Sequence, residues 1–369
     1  MGGERRNGYT DRLRKAILVE CAMVALLAAM IAGRARSRTA EQSFGTNALS
    51  IEQDYIKWVD FTVSYEALCC AYEWDVKTHG TEHEICWVDL LACAAARTGG
   101  AFDGDTLKMM EKAAKSLSEG EKTLEELTAD LKYFPYYQDA YDAALGGLVG
   151  EFKEECVDGA GNVTYRDCYG LKGYFPLARG FEYSHYDDFG AGRSYGYKRR
   201  HLGHDMMGRI GTPIICVESG VVEALGWNQY GGWRIGIRSF DGRRYYYYAH
   251  LRQNYPYAEG LEVGSVVTAG DVIGYMGHTG YSTKENVNNI EVTHLHWGLE
   301  LIFDESQKES NNEIWIDLYA LTRFLAKHRQ ETEKVGDTRE WVRTGRIVDP
   351  AVEEYKAASG NHTDDAEAP

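Results

Sequence analysis

A change of sequence character near residue 170 constrains the fold of this chain more than any other feature. Beyond that point glycine becomes frequent, and β-branched and aromatic residues alternate with polar ones in short stretches. The clearest stretches read TPIICVESGVVEAL, WRIGIRSFDGRRYYYYAHL, SVVTAGDVIGYMG and HLHWGLELIF. Short strands divided by Gly, Asn and Asp-Gly turns are typical of antiparallel sheets, and Asp241-Gly242 predicts a hairpin. We therefore predict a mainly antiparallel β domain over residues 170–328.

Residues 51–150 have a different pattern, in which apolar residues recur at spacings of three and four. This spacing predicts amphipathic helices, and Thr123 with Glu126 has the spacing of a capping box at a helix start. His79 and His83 stand four apart, but the Gly-Thr between them favours a loop over a metal site. We expect an all-α module that acts as a spacer or binds a protein partner of unknown identity.

The two ends of the chain are also distinctive. Residues 16–32 form an apolar run of 17 residues that only Glu20 interrupts, and arginines flank the run on both sides. Seventeen residues is the lower limit for a membrane-spanning helix, and the larger basic cluster lies on the N-terminal side. We expect a single-pass protein of the cell membrane with a cytoplasmic segment 1–15, an anchor 16–32, a linker 33–50 and the rest of the chain extracytoplasmic. The alternative is a buried helix of a soluble protein. Residues 331–369 should form a polar, acidic tail.

Charge and cysteine content narrow the classes of function. The formal net charge of −16 argues against nucleic acid as a partner, because phosphate binding requires a basic surface. The sequence has eight cysteines but no C-x-x-C pair of the zinc-finger type. Cys156 and Cys168 flank a turn-forming segment, and outside the cytoplasm they could close a small disulfide loop. Two free thiols are the alternative.

Histidines are concentrated in three short motifs of the β domain. RRHLGHDMMG contains His201 and Asp205, YYYYAHL contains His250, and THLHW contains His294 and His296. Residues i and i+2 of a strand face the same side of a sheet, so the last two imidazoles should lie side by side. Imidazoles and one carboxylate are typical ligands of catalytic zinc, and further histidines can act as a general base or as donors to an oxyanion. A solvated histidine pair is the alternative for THLHW considered alone.

The three motifs together resemble those of the lysostaphin-type (LytM) zinc endopeptidases of bacterial cell walls. The family pattern is H-x-x-x-D, then Y-x-H-L, then H-L-H before an aromatic residue; here these read HLGHD, YAHL and HLHWGLE. The resemblance covers about residues 170–328 and implies a duplicated hybrid motif fold, of the barrel-sandwich hybrid type. Relative to the family pattern, KENVNNIEV is an insertion that should lie at the rim of the cleft.

The resemblance also implies a role for each motif residue. The ligands of one zinc ion per chain would be His201, Asp205 and His296. His250 and His294 would be the catalytic residues, which face the water that attacks the substrate. Tyr195 is a candidate transition-state donor, whereas His204 has no counterpart in the family pattern and should not take part.

The function implied by the resemblance is that of a zinc metalloendopeptidase, a peptidoglycan hydrolase that cuts amide bonds in peptide stems or cross-bridges. A groove that binds an extended peptide along a sheet suits this architecture. One alternative is a catalytically silent or regulatory scaffold of the same fold that acts in wall remodelling, division or sporulation. Another is a zinc peptidase that acts on proteins. Scaffolds of this kind usually lose metal ligands, and the complete set in this sequence favours the enzyme.

Overall fold

Helices come first in the chain and antiparallel strands follow, as the sequence predicts. The computed structural model describes residues 55–194, 198–308 and 310–360. The helices within these ranges are α1 (Tyr65–Thr78), α2 (Trp87–Thr98), α3 (Gly104–Ser118), α4 (Leu124–Thr128), α5 (Phe134–Leu145), α6 (Tyr319–Leu325) and α7 (Pro350–Gly360). Within the described ranges, no helix is both long enough and apolar enough to cross a bilayer. The predicted anchor 16–32 and its flanking segments 1–15 and 33–50 lie outside the described residues.

Local capping chemistry sets two of the helix boundaries. The Thr123 hydroxyl accepts a hydrogen bond from the backbone N–H of Glu126, whose carboxylate accepts one from the N–H of Thr123. The predicted capping box at the start of α4 is therefore confirmed. Helix α2 ends at Thr98 because Gly99 adopts a left-handed backbone with φ of 68°, which costs glycine little.

The strands are mostly short and form several sheets. In chain order they are β1 (Val149–Val157), β2 (Val163–Leu171), β3 (Ser184–His185), β4 (Gly192–Ser194), β5 (Lys198–Arg200), β6 (His204–Met207), β7 (Pro213–Ile215), β8 (Gly220–Asn228), β9 (Gly232–Ser239), β10 (Arg244–Ala249), β11 (Val266–Val267), β12 (Val272–Tyr275), β13 (His294–Leu301), β14 (Ile314–Trp315), β15 (Thr332–Lys334), β16 (Trp341–Arg343) and β17 (Ile347–Val348). The largest sheet has the order β11-β8-β9-β10-β13-β6-β3, and β14 also pairs with β13. All strand pairs between these elements are antiparallel. The predicted hairpin at Asp241-Gly242 joins β9 to β10.

Strand β13 connects the core to the polar face of the sheet. Leu295 and Trp297 are completely buried, whereas His294 and His296 are only partly buried. Successive side chains of a strand point to opposite faces, so the pleat that places the apolar pair in the core places both histidines on the other face. A slip of one residue in register would exchange the two sets.

The helical region and the strands share one hydrophobic core. Phe324 of α6 packs against Tyr72 of α1 and Trp87 of α2, with ring centroids 5.4 and 5.8 Å apart. Asp75 of α1 accepts a 2.7 Å hydrogen bond from the hydroxyl of Tyr169 on β2. The sequence predicts separate units over 51–150 and 170–328, but the described residues from Tyr55 onward form one unit. The reason is that the apolar faces of α1 and α2 are buried against α6 rather than against one another alone.

A buried arginine reinforces this junction. The guanidinium of Arg244, on β10, donates two hydrogen bonds to the Glu218 carboxylate at 2.7 and 3.1 Å. It also donates to the backbone carbonyls of Asp142 and Ala143 near the end of α5, at 3.1 and 3.0 Å. The side chains of Arg244 and Glu218 are only 2% and 8% exposed, and Arg244 is the cation paired with the Glu218 carboxylate, whereas Arg244 also pairs with Asp241 at 2.6 Å.

Substitution of Arg244 by Met should destabilise the fold by about 3–5 kcal/mol, because the Glu218 carboxylate would stay buried without its partner. The measurement is the free energy of unfolding in urea. Arg243→Met is the matched control: this neighbour pairs with the half-exposed carboxylates of Asp139 and Asp142, so its loss should cost about 0–1 kcal/mol. Equal costs for the two variants would contradict the importance given to the buried pair.

The register of the β1–β2 hairpin excludes a disulfide between Cys156 and Cys168, which the sequence left open. Cys156 lies opposite Thr164, and Cys168 lies opposite Phe152. The two cysteines are therefore offset by four positions along the hairpin, roughly 13 Å of strand. A disulfide requires Cα atoms within about 7 Å of one another. Both thiols are free.

The C-terminal region differs from the polar tail predicted over 331–369. Strands β15 and β16 pair with each other, β17 pairs with β1, and α7 follows. The ring of Trp341 packs edge-on against Phe181 at 5.1 Å, and Ile347 is only 5% exposed. A few widely spaced apolar residues thus pack this polar segment against the rest of the protein. The average composition of the segment does not indicate this packing. Residues 361–369 lie outside the described part.

Candidate metal centre

Three predicted metal ligands are brought together at one edge of the polar face of the sheet. Asp205 of β6 lies directly opposite His296 of β13, and His201 precedes β6 in a loop. His201 Nε2 lies 3.0 Å from Asp205 Oδ1 and 3.0 Å from His296 Nδ1, and the last two atoms are 2.9 Å apart. This is the group of potential ligand atoms that the described residues bring close enough to share a metal ion.

The spacing of these donors fits a tetrahedral zinc site. Ligand atoms about 2.0–2.1 Å from zinc lie roughly 3.3 Å from one another in that geometry. The observed separations are slightly shorter, and two imidazoles with one carboxylate are a donor set that zinc accepts. The spacing and the chemical type of these donor atoms therefore fit a zinc ion.

The glycine of the HLGHD motif allows the ring of His296 to approach the backbone. A Cβ atom on Gly203 would lie 2.5 Å from Cε1 of His296, a distance that real Cβ atoms essentially never show. Any larger residue at this position would displace the imidazole from Asp205. HLGHD therefore contains the predicted ligands His201 and Asp205, and its glycine leaves room for His296.

Two residues that the sequence analysis did not single out surround the ligands. The buried Asp188 places a carboxylate oxygen 3.2 Å from Nδ1 of His201, which leaves Nε2 directed at the site. Arg193 bonds to the same carboxylate and also lies 3.0 Å from Oδ2 of Asp205. Arg193 and Asp188 therefore orient two of the three predicted ligands. Neither residue belongs to a motif with His201, and only the folded loop reveals their role.

The environment controls the charge of the carboxylate at the site. Burial alone would raise the pKa of Asp205, but its hydrogen bonds with His201 and His296 hold that pKa well below its usual range. Burial lowers the pKa of His296, and the hydrogen bond to Asp205 opposes this effect. At neutral pH the site therefore presents an ionised carboxylate, which is the form that binds a cation.

The two histidines predicted to be catalytic lie next to the donor set. The rings of His250 and His294 have centroids 4.7 Å apart, and His294 Nε2 is 3.7 Å from Asp205 Oδ1. Nδ1 of His250 bonds to the carbonyl of Thr279 at 2.9 Å, and Nδ1 of His294 bonds to that of Val292 at 2.8 Å. A carbonyl can only accept, so each Nδ1 carries a proton, and Nε2 is the atom left for proton transfer.

The backbone of His250 has an unusual conformation that directs this side chain. Ala249 lies opposite His296 in the sheet, so a regular strand would turn the next residue to the opposite face. His250 instead has φ of 63°, in the left-handed region that non-glycine residues rarely adopt. Burial, together with the neighbouring His294, lowers the pKa of His250 well below its usual value. The ring is therefore neutral at pH 7.

The other residues considered in the sequence analysis lie apart from this site. His204 is on β6, but adjacent strand residues face opposite sides, and its Nε2 bonds to Nδ1 of His185 at 2.8 Å. His79 stacks on Tyr169 at 3.5 Å and is not part of a metal-binding group among the described residues. Tyr195, the candidate transition-state donor, lies outside the described residues.

An open cleft runs along the sheet beside the donor set. Its walls include Tyr245 and Tyr247 of β10 and Trp315 of β14. Residues 289–292, from the segment KENVNNIEV, also line this cleft.

The antiparallel sheet thus carries a three-donor site, two adjoining histidines and an open cleft. Residues 199–310 match the model of Peptidase family M23. The resemblance to lysostaphin-type enzymes is thereby confirmed.

Individual relatives agree with the family match. Over 125 residues, 34% of this chain, the sequence is 39% identical to an L-Ala--D-Glu endopeptidase of Bacillus subtilis. Over 89 residues, 24% of this chain, it is 38% identical to lysostaphin of Staphylococcus simulans. These matches span 37% and 17% of the two relatives. A solved structure described as a glycyl-glycine endopeptidase lytM from Ruminococcus gnavus is 25% identical with a TM-score of 0.49, and the match covers 74% of this chain and 91% of that one.

Proposed function

We propose that this chain is a zinc metalloendopeptidase that hydrolyses amide bonds in the peptide stems or cross-bridges of bacterial peptidoglycan. The observation that carries the proposal is the mutual spacing of 2.9–3.0 Å among the donors of His201, Asp205 and His296 beside an open cleft. The Bacillus relative is named for an L-Ala–D-Glu bond, a linkage that peptide stems contain. We also propose the duplicated hybrid motif fold for residues 170–328.

One zinc ion per chain would be held by His201 Nε2, Asp205 Oδ1 and His296 Nδ1. When bound, zinc would act as a Lewis acid that polarises the scissile carbonyl and favours ionisation of water near neutral pH. Asp188 and Arg193 keep the ligands oriented by their contacts with His201 and Asp205.

His250 and His294 would move the protons of the reaction. An unprotonated Nε2 on either ring would accept the proton of an attacking water; the resulting imidazolium would then donate to the oxyanion or to the leaving amine. The anchors of the two rings, the carbonyls of Thr279 and Val292, fix the tautomer that this role requires.

The test is digestion of purified cell walls and defined muropeptides by the zinc-loaded full-length protein, with mass spectrometry of the products. We expect new amino termini at one type of amide bond, and none after removal of zinc by a chelator. The matched control is His294→Ala with the same zinc content. If folded proteins are cleaved but muropeptides are not, the substrate class is wrong; if nothing is cleaved, the catalytically silent scaffold is favoured instead.

We further propose that residues 16–32 anchor the protein in the cell membrane, with the peptidase domain outside. The supporting features are the apolar run and the basic residues before it, together with a proposed substrate that is extracytoplasmic. Protease added to intact protoplasts should digest the peptidase domain, and deletion of residues 1–38 should release the protein into the soluble fraction with its zinc retained. A domain protected from external protease would contradict this topology.

A further inference from the structure

Five basic side chains line the cleft of this acidic chain, together with the carboxylates of Asp205, Glu291, Glu300 and Glu313. The basic residues are Arg193, Arg199, Arg200, Arg234 and Lys308. Arg193 is paired with Asp188 and Asp205, and Lys308 is paired with Glu223. Among the residues that the structure describes, Arg199, Arg200 and Arg234 have no carboxylate at ion-pair distance. These three arginines are therefore candidates for pairing with an anion that enters the cleft.

Arg199 is the most firmly positioned of these cations. Its guanidinium lies 5.4 Å from the ring centroid of Tyr230 and 5.2 Å from that of Tyr281. It donates one hydrogen bond to the Tyr281 hydroxyl, and its buried Nε has no hydrogen-bond partner. A guanidinium has five N–H donors, so this arrangement fixes the plane of the group while leaving donors unused. Held in this way, a guanidinium can bind a carboxylate with two parallel hydrogen bonds.

Arg199 also lies close to the proposed reaction centre. The ring of Tyr281, which contacts Arg199, has its centroid 6.1 Å from that of His250. Two contacts thus separate the guanidinium from a proposed catalytic histidine. An extended peptide advances roughly 3.3 Å per residue, so a group bound by Arg199 would belong to a residue within about three positions of the scissile amide.

We propose that Arg199 binds a carboxylate of the substrate peptide and makes the enzyme selective for acidic peptides. The inference rests on the proposed function and narrows it. The preferred substrate is a peptide stem whose glutamate carries a free α-carboxylate close to the scissile bond. The same stem with that group amidated, and an uncharged oligoglycine bridge, are poorer substrates.

The experiment compares two synthetic stem peptides that differ only in a carboxylate or carboxamide on D-glutamate, with pentaglycine as a third probe. Zinc-loaded full-length protein should cleave the free acid roughly 10- to 100-fold more efficiently in kcat/KM than the amide, the range expected for a charge-assisted hydrogen bond. In Arg199→Gln the kcat/KM values for the acid and the amide should differ by no more than about threefold. Lys198→Gln is the matched control, because Lys198 lies on the same strand and is exposed but does not line the cleft.

A measurement of peptide binding distinguishes a failure of this inference from a failure of the proposed function. The affinities of the acid and the amide are also measured with His250→Ala, which should bind both peptides without turnover. Tighter binding of the acid, lost on adding Arg199→Gln, would support the inference even if no cleavage were seen with the wild-type protein. Equal affinities for both peptides, or a preference that survives Arg199→Gln, would overturn it even if the wild-type protein cleaved cell walls.

Discussion

Substitution of His296 by Ala should lower the zinc content of the purified protein by an order of magnitude or more. Only His201 and Asp205 would remain as protein donors, whereas catalytic zinc sites normally have three. Because His296 also bonds to Asp205 at 2.9 Å, its loss removes the group that helps to orient the carboxylate. The measurement is the metal-to-protein ratio after dialysis against zinc-free buffer, by atomic emission.

His278→Ala is the control for this experiment. Its imidazole bonds to the carbonyl of Ile290 at 2.7 Å and is not part of the three-donor group. This variant should keep a full complement of one zinc per chain. Full retention of zinc by His296→Ala would contradict the assignment of His296 as a ligand. Equal loss of zinc from His296→Ala and His278→Ala would contradict it as well.

The variants His250→Ala and His294→Ala should each keep zinc but turn over wall peptides about 10²- to 10⁴-fold more slowly. This range is the usual contribution of one positioned acid or base. Nδ1 of each ring is held by a backbone carbonyl, and neither ring belongs to the three-donor group, so alanine removes a proton acceptor without removing a ligand. The measurement is kcat on a defined muropeptide at equal zinc occupancy.

The double variant completes this test. If the two histidines act on one proton-transfer sequence, the loss in the double variant should be much smaller than the product of the two single losses. A near-normal rate in either single variant would show that the histidine concerned is not catalytic. Loss of zinc from either one would instead place it among the ligands.

Much of the fold follows from local sequence, and the exceptions have physical reasons. The capping box at Thr123 and the turn at Asp241-Gly242 were predictable because short-range chemistry determines both. The packing of Phe324 between α1 and α2 was not, because an apolar helix face does not reveal which surface will cover it. The same applies to Cys156 and Cys168. The turn-forming residues between them suggested that a disulfide could close a loop, but the register of the two nine-residue strands places the cysteines four positions apart.

In the metal centre, too, some residues could be predicted from the sequence and others could not. The sequence indicates His201, Asp205 and His296 because chemical type and motif identify them, and strand pairing then brings two of them face to face. Asp188 and Arg193 carry no such signal, since aspartate and arginine are common in surface loops. The left-handed turn at His250 was also hidden, because a strand pattern that ends at Ala249 does not specify the next backbone angle.

The common core of helices and sheet has a consequence for the preparation of fragments of this chain. A sheet that buries its own apolar surface can be produced as a separate domain. Here α1 and α2 cover Phe324, and α5 supplies the carbonyl acceptors of Arg244. Excision at residue 170 would expose Phe324 and remove two carbonyl acceptors of the Arg244 guanidinium. The sheet should therefore be less stable without the helical region, and substitutions in one are constrained by the other.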